Sequence, residues 1–258
     1  MEFLQGGRKN KIGRIANTVH RPAGPWTQSV HALLRQVRAA GFTAVPHPLG
    51  FDEAGNEIVT FLAGDVCNYP LSAAAASQEA LVSAAQLLRA YHEASRTFLA
   101  QNLESHTWLL PSQTPIEVIC HGDFAPYNVV LNGRLAVGLI DFDTAHPGPR
   151  IWDIAYALYR WAPFTHPQNP DRLGNLETQI ERARLFCDAY GFPVAQRHNL
   201  VEMMILRLET LVTYMQAEAQ KGNEAFIANL ADGHHLLYRA DIEYLGEKRP
   251  FIQKSLHR

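Results

Sequence analysis

Asp123, Asn128 and Asp141 stand within a few residues of two apolar runs, Val129 to Leu131 and Leu135 to Ile140, whose composition belongs in a core. A buried carboxylate is costly unless a cation or hydrogen bonds compensate it. Something positive is expected beside these groups. The two runs are rich in β-formers and are separated by Asn132-Gly133-Arg134, a strong signal for a two-residue hairpin turn. With Asn132 and Gly133 as the turn residues, Leu131 pairs with Arg134 and Asn128 with Val137. Asp141 then overshoots Asn128 by four residues, roughly 13 Å of strand, and lies under a loop made by residues 121–127. The three polar groups converge there. Asn128 and Asp141 offer the hard oxygen donors that magnesium takes, and Asp123 is left free to act as a base.

The order His121-Gly122-Asp123, Asn128, then Ile140-Asp141-Phe142-Asp143, then Trp152-Asp153-Ile154-Ala155 resembles the catalytic core of the aminoglycoside phosphotransferase family. These are small-molecule kinases related to choline kinases and, more distantly, to protein kinases. The resemblance implies an α+β, two-lobed protein-kinase-like fold: a small antiparallel-sheet N-lobe over residues 1–62 and a mainly helical C-lobe over 63–258 that carries a catalytic β-hairpin. It implies ATP or GTP as phosphoryl donor, Mg2+ held by Asn128 and Asp141, a small hydroxylated acceptor, and Asp123 as the catalytic base. His121 is expected to brace the loop backbone, and Asp153 to receive loop amides. Asp143 stands where protein kinases carry glycine, and both an accessory metal contact and a plain surface acid fit it. The run Glu57 to Gly64 matches the hinge of related kinases, so Thr60, Phe61 and Leu62 are candidates to meet a nucleobase through main-chain atoms; an edge strand without a ligand fits the same run.

The family pattern is broken in one place. Lysine occurs only at positions 9, 11, 221, 248 and 254, so the strand Thr18 to Arg21 lacks the lysine that such kinases place against the phosphates. The helix predicted from Thr27 to Ala40 also contains no Asp or Glu. Arg21 is the substitute read here, because its planar fork suits phosphate oxygens; Lys11 and Arg14 are the runners-up. The preceding Gly6-Gly7 corresponds to the phosphate-covering turn of the family, although an ordinary surface turn fits it as well.

Composition narrows the partners. The 258 residues are 47% hydrophobic with a formal charge of −2. Such a chain can bury a large core and carries no basic footprint for nucleic acid beyond Arg8-Lys9-Asn10-Lys11. No segment approaches the apolar length of a signal peptide or membrane helix, so the expectation is a cytoplasmic protein with neither membrane nor nucleic-acid partner. Cys67, Cys120 and Cys187 are too scattered for a disulfide framework or zinc site. His234-His235 reads as helix surface.

Apolar spacing predicts helices over Thr27–Ala40, around Leu81–Tyr91, and over Ile151–Trp161, Leu176–Tyr190 and Asn199–Gln220, with more helix from Ala225 to Tyr244. Glu202 and Glu209, seven apart on the fifth of these, are candidates to meet a cationic acceptor, against the plainer reading of a solvated face. Three further functional readings accompany the first: a metabolic kinase of choline, homoserine or fructosamine type, a nucleotide-binding pseudokinase, and an interaction domain.

Overall fold

A left-handed φ of 52° at Ala16 lets β2 (Gly13–Ile15) turn back on β3 (Thr18–Pro22) across Ala16-Asn17. The computed structural model describes residues 2–3, 12–100 and 103–257; Gly6-Gly7, Lys11 and the basic run before it lie outside the described residues. With β1 (Glu2–Phe3), β4 (Pro48–Phe51) and β5 (Asn56–Thr60), these strands form an antiparallel sheet in the order β1-β2-β3-β5-β4. Pairing of β3 with β5 sets Arg21 directly opposite Glu57. Pro48 and Gly50 give β4 a weak strand pattern; Pro48 is tolerated because β4 is an edge strand and proline is its first residue.

Helix α1 (Thr27–Ala39) packs on this sheet. Its stripe of Val30, Leu33, Leu34 and Val37 is buried and belongs to one continuous core with Leu81, Leu88 and Tyr91 of α2 (Gln78–Ser95) and Phe142. Two polar links add to that packing: Gln36 Nε2 donates to Thr97 Oγ1 at 3.2 Å, and the Thr107 amide to Ser29 Oγ at 2.9 Å. Residues 73–77 form a turn, and Ser77 caps α2 by accepting from the Ala80 amide at 3.2 Å.

The rest is an α-helical body: α3 (Arg150–Trp161), α4 (Leu176–Tyr190), α5 (Leu200–Gln220), α6 (Glu224–Ala231) and α7 (His234–Leu256). Asn175 caps the start of α4, and Gly191, at φ 78°, ends it. Two small strand pairs interrupt the helices, one more than the sequence suggested. Strands β7 (Val129–Asn132) and β8 (Leu135–Leu139) form the expected hairpin, whereas β6 (Val118–Cys120) and β9 (His146–Gly148) make a second pair hidden by Pro147.

The hairpin register differs from the expectation. Asn132 pairs with Leu135, so the two loop residues are Gly133 and Arg134, with glycine first at φ 61°; that is the glycine position of a type II′ turn. A bulge between Val130 and Leu131 shifts the ladder again, and the Ile140 amide donates to the Asn128 carbonyl at 2.9 Å. Asp141 therefore lies one residue beyond Asn128 rather than four. Among the described residues no helix is long and apolar enough to cross a membrane.

Candidate active site

Loop residues 121–123 run between β6 and the hairpin with their backbone fully engaged. Asp153, in the first turn of α3, accepts the His121 amide at 2.6 Å on Oδ2 and the Gly122 amide at 2.8 Å on Oδ1. Thr144 donates to the His121 carbonyl at 3.0 Å and Arg207 of α5 to the Gly122 carbonyl at 2.5 Å. The Asp123 amide donates to His121 Nδ1 at 3.2 Å, and Asn128 Nδ2 donates to the Asp123 carbonyl at 2.9 Å. All six polar backbone groups are thus fixed, five of them by side chains from outside residues 121–123. Gly122 takes φ +81°, and a Cβ there would meet the Thr144 carbonyl oxygen at 2.3 Å, so the turn admits only glycine.

His121 accepts at Nδ1 and contacts the Ile140 carbonyl through Nε2 at 2.9 Å, which assigns the proton to Nε2. Both nitrogens are spent on backbone groups. Asp153 is fully buried and also accepts from His92 Nε2 at 3.0 Å. Burial alone would raise its carboxyl, but His92 and the loop amides outweigh that and hold it down to about 2. Burial pushes the His92 imidazole the other way, toward neutrality; a neutral His92 donating from Nε2 accepts from the Tyr190 hydroxyl at Nδ1, 2.7 Å away.

Above this scaffold lies a cleft of about 1270 Å³. Arg21, Thr60, Phe61, Leu62, Asp123, Asn128 and Asp141, seven of the residues selected from sequence, all line it, while His121 and Asp153 lie beneath. Asp123 accepts from the Tyr127 hydroxyl at 2.7 Å and from Asn128 Nδ2 at 2.9 Å. Burial raises its carboxyl, the nearby Asp141 charge adds to that, and Tyr127 works against it. Asp141 takes a left-handed φ of 61° at the end of the hairpin, a conformation rare outside glycine and costly to hold.

Arg21 joins the acids to the sheet. Its Nη1 lies 2.6 Å from Asp141, its Nη2 2.9 Å from Asp143 and its Nε 2.5 Å from Glu57. Burial opposes the Arg21 charge, and the three carboxylates reverse that effect and raise its pKa. Asp143 is 6% exposed, so the surface-acid reading is wrong; the guanidinium compensates its burial. Arg14 instead lies over the Phe61 ring, 3.8 Å from its centroid. The Thr60 and Phe61 amides already donate to the His47 and Asn17 carbonyls. Among the described residues no group of three or more His, Cys, Asp or Glu could hold a metal ion.

Of the two α5 carboxylates, Glu209 lines the cleft but Glu202 does not. Glu202 accepts from Gln253 Nε2 at 2.8 and 2.9 Å and thereby joins α5 to α7. His31, His92 and Arg207 escaped the sequence reading. Each is a basic residue set on the apolar stripe of a helix, beside Leu34, Leu88 and Met204 respectively, and that misplacement was the available signal.

A family model described as "Phosphotransferase enzyme family" matches residues 98–190, which take in the loop, the hairpin and Asp153. A trifolitoxin immunity protein of Rhizobium leguminosarum bv. trifolii is 31% identical over 208 residues, 78% of either chain. The chain belongs to the phosphotransferase enzyme family. A choline/ethanolamine kinase family protein from Mesorhizobium loti shares its fold with a TM-score of 0.61 at 16% identity, covering 97% of this chain and 90% of the other. Amicoumacin kinase, solved in complex with AMP-PNP, Ca2+ and Ami, gives 0.59 at 12% identity over 88% and 89% of the two chains. The α+β architecture is that of the small-molecule kinases.

Proposed function

We propose that this phosphotransferase moves the γ-phosphoryl of ATP or GTP onto a hydroxyl of a small molecule, with magnesium bound. The observation that carries the reading is the meeting of Asp123, Asn128, Asp141 and Arg21 around one cleft. Both Asn128 amide hydrogens go to Asp123, leaving the carboxamide oxygen as its ligand atom; with the Asp141 carboxylate this makes a sparse, hard-oxygen set of the kind magnesium completes with phosphate and water. Held by Asn128 and Asp141, the ion would neutralise phosphate charge.

Asp123 then orients the acceptor hydroxyl and takes its proton, with Tyr127 and Asn128 fixing the carboxylate. Arg21 neutralises phosphate charge with a rigid fork. Because the Thr60 and Phe61 amides are committed within the sheet, main-chain contact with the nucleobase falls to Leu62 and to carbonyl groups. The acceptor lies toward α5, α6 and α7, whose cleft-lining residues include Tyr214, Phe226 and Tyr238 and a single carboxylate, Glu209. A polycation would leave ammonium groups uncompensated against such a wall. The acceptor therefore carries at most one cation and substantial apolar surface, and the relative named for toxin immunity favours an antimicrobial compound.

Incubation with ATP or GTP, Mg2+ and a panel of hydroxylated compounds, read by mass, tests this. A phosphorylated product is expected, and Asp123→Asn should lower its rate by at least about 10²-fold while nucleotide affinity is kept. Nucleotide binding with no product across a broad panel would favour the pseudokinase reading instead.

A further inference from the structure

The lysine-glutamate pair of related kinases joins the phosphate-binding strand to the first helix. Here the helix side of that link is histidine. His31, on the buried stripe of α1, contacts Glu57 Oε2 through Nε2 at 3.0 Å, and Glu57 Oε1 accepts from Arg21 Nε at 2.5 Å. Since a carboxylate only accepts, Nε2 of His31 carries the hydrogen. From Arg21 the chain continues to Asp141 and Asp143. One uninterrupted run of polar contacts thus crosses from the first helix, over two strands, to the segment that follows the hairpin.

Resting on the phosphotransferase reading above, we propose that Glu57 and His31 are positioning residues for the phosphate-binding fork of Arg21. Three features support a positioning role over incidental pairing. First, Arg21 and Glu57 are directly opposed in the β3–β5 ladder, so both side chains leave the same face of the sheet and their contact is set by register. Second, Glu57 is only 1% exposed and His31 2% exposed. A carboxylate so buried must be compensated, and two partners from different elements do so; burial would raise the Glu57 carboxyl, and His31 and Arg21 hold it below its usual range. Third, the guanidinium uses Nε on Glu57 and its two terminal nitrogens on Asp141 and Asp143. Glu57 thus grips the fork from behind, at the one nitrogen not aimed at the acids, and fixes the direction in which Nη1 and Nη2 point. His31 in turn fixes the Glu57 carboxylate and ties it to α1. Nothing in α1 could play the usual acidic part, since Thr27–Ala39 contains no acidic residue.

The test is a KM split with a conservative rescue. His31→Leu keeps bulk but loses the donor, and His31→Gln keeps an N–H able to reach Glu57. Kinetics of the full chain with ATP and Mg2+, and titration with a fluorescent ATP analogue, should show nucleotide KM and Kd raised at least tenfold in His31→Leu and in Glu57→Gln. Acceptor KM should stay within twofold, and His31→Gln should return the nucleotide constants to within about threefold of wild type. Equal behaviour of His31→Leu and His31→Gln, or nucleotide and acceptor KM rising together, would overturn the tether. If His31→Leu does not fold, Glu57→Gln against His31→Gln decides the matter by the same criteria. Arg21→Ala separates the layers: if it weakens nucleotide binding while Glu57→Gln does not, only the tether fails. Absence of any nucleotide binding by the wild-type chain would bring down the underlying reading and the tether with it.

Discussion

Replacing Asp153 by Asn changes one atom at the base of the loop of residues 121–123, and its cost can be worked from the hydrogen bonds. Oδ2 of Asp153 serves both the His121 amide and His92, and Oδ1 serves the Gly122 amide. The best an asparagine can do is place its oxygen at the Oδ2 position, leaving its own NH2 against the Gly122 N–H with no water to relieve the pair. A buried unsatisfied donor costs about 1–3 kcal/mol. Independently, a carboxyl held at about 2 against an ordinary 3.8 represents about 2 kcal/mol of folding free energy that the amide cannot supply. The two accounts overlap rather than add, and about 3 kcal/mol is the expected loss at pH 7, measurable from urea midpoints at constant m. The pH dependence follows from the depressed carboxyl. Wild type holds this stability in full above about pH 4 and loses it as pH falls toward 2. The gap between wild type and Asp153→Asn should accordingly narrow over that acid range. A loss below about 1 kcal/mol at pH 7, or a gap insensitive to acid, would refute the assignment of Asp153 as the charged anchor of the loop.

Asp141→Asn removes a carboxylate proposed to hold magnesium, so Mg2+-dependent nucleotide affinity should fall at least tenfold while binding in chelator changes little; identical titrations of wild type and variant would retire the metal role. Tyr127→Phe withdraws the hydroxyl that works against the raised Asp123 carboxyl. Asp123 must be ionised to take a proton, so the acidic limb of the kcat/KM profile should move to higher pH, and an unmoved limb would count against Asp123 as the base. Gly122→Ala forces a Cβ to within 2.3 Å of the Thr144 carbonyl at a positive φ; the strain of order 1–3 kcal/mol should appear as a lowered Tm together with lost turnover.

The helices and the loop before the hairpin were legible because their signals are local. Apolar spacing marked α1 from Thr27, and the residues around Asp123 and Asp141 are clustered in sequence. Arg21 could be singled out as a candidate because its strand carries no lysine. Its partner could not, because Glu57 lies 36 residues away and meets Arg21 only through a strand pairing that no periodicity encodes. The hairpin register failed for a related reason: Asn-Gly announces a turn, but whether glycine stands first or second in it, and where a bulge falls, depend on how the hairpin packs. Arg207 reaches the Gly122 carbonyl from 85 residues downstream. Such contacts belong to tertiary structure, and the only local trace they leave is a polar residue where an apolar one would be expected.

The burial of α1 in the common core bears on how the cleft opens. Swinging the sheet and its helix away as a rigid flap would expose Val30, Leu33, Leu34 and Val37 together. At about 1.5–3 kcal/mol for each such side chain, the opening would consume about as much free energy as an entire domain has to spare. Ligand traffic through this enzyme must then rely on smaller excursions of the cleft walls, with the first helix retained as part of the frame. Hydrogen exchange would register that directly, with the central amides of α1 protected as long as those of α2.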